Sequence, residues 1–266
     1  MICTLGDLLL DVIVRLDGPI AADTDTYGRT RVGPGGQAAN VAAWVTALGG
    51  RARFVGKRAE DPAGRILAEE LAALGVELAG PVVESGTGTV VSVATPDGAR
   101  TMLSDRGVST AFAPAELDRA WLAGCEWLHV PGYSLVRSPL RETALAAAAL
   151  AEQVSVDLSS TAAIEEVGVA RFRETVAALG PRIAFANEAE AELAGDLAVE
   201  TLVVKRGARG CVVVEAGERR ELPAVATEAV DSTGAGDAFA AGFLLRGPEL
   251  ALDAAARCVA KMGATP

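Results

Sequence analysis

Residues 231–239 read Asp-Ser-Thr-Gly-Ala-Gly-Asp-Ala-Phe. Three small residues, Gly234, Ala235 and Gly236, precede Asp237, and a segment of helical period follows over 236–246. Small residues let the backbone turn so that the amides of Ala235, Gly236 and Asp237 point outward at a helix N-terminus. Free N–H groups and the positive end of the helix dipole then favour an anion. A carboxylate in the same turn would repel a phosphate that merely bound there. It makes sense if the acid faces a hydroxyl and takes its proton while the amides hold a phosphoryl group in transfer. The plainer alternative is that Asp237 sits in the first helical turn and only favours the dipole.

Upstream of this stretch, short apolar runs at 2–5, 53–56, 127–130, 154–157, 183–185 and 202–204 read as strands. Helical segments lie between them at 35–48, 62–74, 138–152, 164–178 and 187–194, with a last one at 249–262. Asp61-Pro62 caps and starts the second helix, and Gly75 ends it. This alternation predicts a mostly parallel sheet covered by helices on both faces. Residues 8–33 and 82–104 break the pattern, with strands and turns but no helix. Thr95-Pro96-Asp97-Gly98 reads as a hairpin between two β-rich runs. These two segments are expected to form a small second sheet, a lid, on a single domain spanning 1–266. Further strands are expected at 211–214 and 219–222.

The chain has 266 residues, 24 Lys+Arg, 35 Asp+Glu and a formal net charge of −11. That balance argues against a nucleic-acid-coating surface and a polybasic membrane anchor. With 50% hydrophobic and 22% charged residues, the composition is that of a folded chain and excludes disorder. No secretory signal opens the sequence, and no apolar run reaches the roughly 18 residues of a membrane span. Cys3, Cys125, Cys211 and Cys258 are widely spaced and form no CxxC, so buried, reduced thiols in a cytoplasmic protein are expected.

Five other places along the chain carry candidate chemistry. Gly33-Pro34-Gly35-Gly36-Gln37-Ala38-Ala39-Asn40 matches a loose dinucleotide fingerprint, but a polar turn precedes it and no acid ends the next strand. Gly35 and Gly36 could instead let a polyol approach the backbone, with Asn40 bonding its hydroxyls. Asp11 interrupts a run of Leu, Val and Ile, which is costly unless the carboxylate is paired or faces a cleft. Asn187-Glu188-Ala189-Glu190 has capping-box spacing, and the same spacing lets Asn187 and Glu190 orient waters around Mg²⁺. Lys205-Arg206-Gly207-Ala208-Arg209-Gly210 follows a strand, where an α/β sheet binds ligands. Arg106, just after the second lid segment, could reach an acceptor and would suit an acidic or phosphorylated one. No Walker motif and no G-x-S-x-G occurs, and His129, the only histidine, lies in an apolar strand.

In order along the chain, Gly35-Gly36…Asn40, Asn187…Glu190, Lys205-Arg206-Gly207 and above all Asp231 to Phe239 resemble the PfkB (ribokinase-like) carbohydrate kinase family. The resemblance covers essentially the whole chain. It implies a three-layer α/β/α fold with a mostly parallel central sheet and a β-sheet lid. It also implies a phosphotransferase that moves the ATP γ-phosphate to a sugar-like hydroxyl. Asp237 would be the base, with Gly234, Ala235 and Gly236 as anion hole. Asp11, Gly35, Gly36 and Asn40 would bind the acceptor. Asn187 and Glu190 would support Mg²⁺ through water. Asn187, Lys205, Gly207 and Gly210 would border the nucleotide. A monovalent cation such as K⁺ would sit near Asp231, and lids would pair in a homodimer. A nucleoside acceptor is the alternative. Tyr27 is the one obvious base-stacking candidate in the first lid segment.

Overall fold

The structure is a computed structural model that describes residues 1–97 and 100–266. Strand β1 (Ile2–Leu5) opens it with four buried residues. The chain then leaves the core for a separate sheet, where β2 (Leu9–Leu16) and β3 (Gly28–Gly35) pair antiparallel. It returns through α1 (Gln37–Ala47), β4 (Ala52–Val55), the short β5 (Arg58–Ala59), α2 (Pro62–Ala73) and β6 (Glu77–Ala79). The Asp61 side chain accepts a hydrogen bond from the Gly64 amide, the cap expected before Pro62. After β7 (Val82–Val83), strands β8 (Thr89–Ala94) and β9 (Arg100–Asp105) rejoin the separate sheet. Its order is β3-β2-β8-β9, with β8 and β9 antiparallel. Gly98 of the expected hairpin lies outside the described residues.

A run of short 3-10 turns between Gly107 and Leu122 leads into β10 (Trp127–Pro131). Helix and strand then alternate: α3 (Leu140–Ala148), β11 (Gln153–Asp157), α4 (Thr161–Val167), α5 (Val169–Leu179), β12 (Ile183–Asn187), α6 (Glu188–Ala194) and β13 (Thr201–Lys205). The chain closes with β14 (Cys211–Glu215), β15 (Glu218–Leu222), α7 (Ala235–Arg246) and α8 (Pro248–Val259). The core sheet has nine strands in the order β15-β14-β13-β12-β11-β10-β1-β4-β6. It is parallel from β6 to β13 and antiparallel at the β13-β14-β15 edge.

Apolar side chains of α1, α2, α7 and α8 pack on one face of this sheet, among them Trp44, Leu67, Phe239 and Ala251. Those of α3 to α6, including Ala144, Ile164, Phe172 and Ala194, pack on the other. The three-layer α/β/α expectation therefore holds. Two local expectations do not. The single helix at 164–178 is two helices, because Gly168 takes a left-handed φ of 86° that ends α4 and starts α5 afresh. The cysteines are not all reduced either. Cys3 and Cys125 form a disulfide with Cα atoms 5.8 Å apart, whereas Cys211 and Cys258 are free and buried. Pairing of β1 beside β10, with Ile2 opposite Trp127, carries these distant cysteines together, and their spacing in sequence gives no hint of it. Among the described residues no helix is long and apolar enough to cross a membrane.

Candidate active site

A parallel sheet presents the C-terminal ends of its strands at one edge, and loops leaving that edge enclose its ligand crevice. Here Asp7 follows β1, Tyr133 follows β10, and Asp157, Asn187 and Lys205 end β11, β12 and β13. Together with the separate sheet and the N-terminus of α7 they line a cavity of about 990 Å³. A smaller cavity at the opposite edge, lined by Gln153 and Glu200, has its arginine, Arg182, already paired with Glu200.

Asp237 stands in the first turn of α7 and is 7% exposed. Its Oδ2 accepts a hydrogen bond of 2.8 Å from Asn40 Nδ2. Burial, followed by the nearby Asp157 charge, pushes its pKa up to about 8 against the opposing pull of that hydrogen bond. The first turn leaves the amides of Gly236 and Asp237 without intrahelical acceptors. Gly234, at the helix N-cap, has a φ of 78° and packs so closely on Ala264 that a side chain would collide with backbone there. Gly234 and Gly236 line the cavity beside Asp237. Ala235 lies between them, and its amide, expected to point outward, instead donates to the Ser232 carbonyl and closes the turn.

Asn40 comes one turn into α1, and its Oδ1 is buried with no hydrogen-bond partner. The glycines before that helix serve packing rather than leaving room for a ligand. A Cβ at Gly36, whose φ is 95°, would lie 2.5 Å from the Asp7 carbonyl oxygen. One at Gly35 would fall on the Asp11 carboxyl. Gly35 thus stands behind Asp11 rather than at the cavity, whereas Gly36, Asp11 and Asn40 line it. Arg106 lines it as well, forms an ion pair with Asp7, and lies with its guanidinium carbon 3.9 Å from the Tyr133 ring centroid.

Asn187 and Glu190 form the capping box their spacing allows. Asn187 Oδ1 accepts from the Glu190 amide, and Glu190 accepts from both the amide and Nδ2 of Asn187. Both also line the cavity, so capping and ligand-facing roles are compatible. Burial, then Asp157, raises the Glu190 pKa. Lys205 is ion-paired with Asp157, and its Nζ lies 3.1 Å from where a Cβ of Gly236 would be. Burial alone would lower its pKa, but Asp157 and then Glu190 and Asp237 hold it raised and the ammonium charged. Gly207 borders the cavity. Gly210 does not, and closes the β13–β14 turn by accepting from the Arg206 amide. Asp231 also stands away from the cavity. Its carboxylate accepts from the Thr233 amide and hydroxyl and from the Gly263 amide, with Arg15 3.9 Å away.

Two carboxylates of the cavity are not singled out by the sequence, although the strand-end position of Asp157 allows it to line the cleft. Asp7 follows Gly6 in an unremarkable turn, and Asp157 ends a strand like any other. Only the fold sets Asp7 against Arg106 and Asp157 against Lys205, partners 99 and 48 residues away. His129 is fully buried and bonded to Ser155, and burial lowers its pKa to about 4, so it is a neutral core residue.

Comparison with known proteins gives concordant results. The model of the pfkB family of carbohydrate kinases matches residues 1–264. An ATP-dependent ribose-1-phosphate kinase of Halopiger xanaduensis is 31% identical over 91% of this chain and 83% of its own length. A probable fructokinase-5 of Arabidopsis thaliana is 28% identical over 92% of this chain and 82% of its own. Among solved structures, the adenosine kinase of Sinorhizobium meliloti superposes with a TM-score of 0.87 at 27% identity, covering 100% of this chain and 95% of that one.

Proposed function

This chain belongs to the pfkB family of carbohydrate kinases, and from that premise we propose that it transfers the γ-phosphoryl group of ATP to a hydroxyl of a carbohydrate, with Asp237 as the general base. The observation that carries this is the buried Asp237 at the N-terminus of α7, facing the cavity with its pKa pushed up to about 8. A base tuned near working pH, beside unpaired helix amides, suits deprotonation of a hydroxyl next to a phosphoryl group. The acceptor proton passes to an Asp237 carboxylate oxygen as the new O–P bond forms. The bond from the γ-phosphorus to the β,γ-bridging oxygen breaks, and ADP leaves. Gly234, Ala235 and Gly236 shape the anion hole, and Asn40 holds Asp237 through Nδ2 while its Oδ1 accepts from the acceptor.

Asp11, Gly36 and Arg106 complete the acceptor end, with Gly35 as the packing partner of Asp11. Lys205 and Gly207 border the ATP phosphates, and Gly210 sets their turn. The residues present suit Mg²⁺ bound through water: each Glu190 oxygen accepts one hydrogen bond and keeps a lone pair for a second. Bound with ATP, the ion would offset the charge of the phosphates. A monovalent cation at Asp231 has a competitor in Arg15, which already brings positive charge there. ATP use fits a cytoplasmic setting. In the separate sheet, Val12, Val14, Val32, Val91, Val93 and Leu103 share the face turned from Asp11, and Val32 and Leu103 are 57% and 59% exposed. That apolar face suits a second copy of the same sheet, a homodimer through the lid.

A nucleoside acceptor has less support. Tyr27 is 79% exposed and away from the cavity, and the Tyr133 ring is covered by Arg106. The test is acceptor-dependent ADP release with Mg·ATP across pentoses, hexoses, sugar acids, phosphosugars and nucleosides, with Asp237→Asn alongside. A sugar that stimulates the wild type and not the variant supports the proposal. An equally active variant removes Asp237 from its role, and stimulation by nucleosides alone selects the alternative.

A further inference from the structure

We infer that this kinase selects a neutral polyhydroxyl acceptor and that Asp7, through its pair with Arg106, is the residue that enforces the choice. The inference rests on the carbohydrate-kinase proposal above and narrows its acceptor. Arg106 by itself would suggest the opposite, an acidic or phosphorylated sugar gripped by a guanidinium.

The cavity is lined by seven carboxylates and three cations. Each cation already has a carboxylate partner that lines the same cavity: Arg106 with Asp7, Arg137 with Glu166, and Lys205 with Asp157. An acceptor carrying its own negative charge would meet a surplus of the same sign, in addition to the phosphates of ATP. Rejection of like charge is a common route to specificity.

Asp7 adds a positive criterion. It is 3% exposed and lines the cavity, and Arg106 takes its Oδ2. Its Oδ1 is buried and has no hydrogen-bond partner. A buried carboxylate oxygen with an open lone pair in a cavity wall calls for a donor, and a hydroxyl supplies one while a carboxylate or phosphate dianion does not. Arg106 has five N–H donors and spends one on Asp7, and the Tyr133 ring beneath fixes its plane. An acceptor and donors therefore stand side by side, which matches neighbouring hydroxyls of a neutral polyol. Asn40 Oδ1, buried and equally unpartnered, repeats the demand for a donor next to Asp237.

The test measures kcat/KM with Mg·ATP for aldoses, their aldonic acids and their phosphate esters, on wild type and Asp7→Asn. Wild type is expected to favour the neutral sugar by roughly tenfold or more, the size of a lost hydrogen bond to a charged group. Asp7→Asn, which frees Arg106, is expected to narrow that gap by about tenfold, mainly through KM. A merely structural Asp7 would lower activity toward all three classes alike, which would overturn its selecting role. If Asp7→Asn does not fold, the wild-type ranking decides. A wild type that prefers the acid or the ester overturns this inference and leaves the kinase proposal standing. If no acceptor stimulates ADP release from the wild type, the kinase proposal itself falls and takes the inference with it.

Discussion

Replacing Asp237 with Asn removes the proposed proton acceptor and a buried ionisable group together, so two measurements should move in opposite directions. Loss of the base is expected to lower kcat by on the order of 10²-fold or more. Stability should rise. The Asp237 pKa moves from about 3.8 to about 8 on folding, so its contribution is fully present below about pH 4 and is lost as pH climbs through about 8. The melting temperature of Asp237→Asn should therefore exceed that of wild type by a margin that widens over this window, as differential scanning fluorimetry would record. In the wild type, kcat/KM should rise with pH along a limb whose midpoint is about 8. Asp157→Asn takes away a charge that opposes ionisation of Asp237. Its pH–rate limb should therefore shift to lower pH, whatever happens to the plateau.

At the scale of elements, the turn between β3 and α1 is the tightest point of the site. Gly36→Ala would place a Cβ against the Asp7 carbonyl at a positive φ. It is expected to destabilise the fold by about 1–3 kcal/mol, measured by urea denaturation, and to raise the acceptor KM. Much at this scale was legible from the sequence. Eight of the nine core strands to within two residues of their observed ends, the Asp61 cap, the small-residue turn at 234–236 and the helix after it all follow from local chemistry, whereas the three-residue edge strand β6 is too short to show a pattern. The rest depends on contacts no window contains. Gly168 sits in a helical pattern and could have been a tolerated interior glycine; its left-handed φ decides otherwise. The disulfide needs β1 beside β10. The Asp7–Arg106 and Asp157–Lys205 pairs need the whole sheet. Gly35 shows the reverse error: its small size was legible and its reason was not, because the neighbour it makes room for, Asp11, comes from another strand.

For the molecule as a whole, the outer face of the small sheet makes the assembly testable. Val91 and Leu103 are directly paired neighbours on that face. A charged residue at either, as in Val91→Lys or Leu103→Asp, should shift the mass seen by light scattering from dimer toward monomer while leaving the helical content seen by circular dichroism unchanged. A wild type that is monomeric at every concentration removes this face from any role in assembly.

The path from β1 to β2 has one more consequence. Asp7 leaves the end of a core strand, and Asp11, four residues later, already belongs to the small sheet. Asp7 is thus carried with the wall that holds Asp237, and Asp11 with the opposite one. An acceptor that bonded both carboxylates, as the proposal above has it, would bridge the seam between the core sheet and the small one and be measured by the width of that seam.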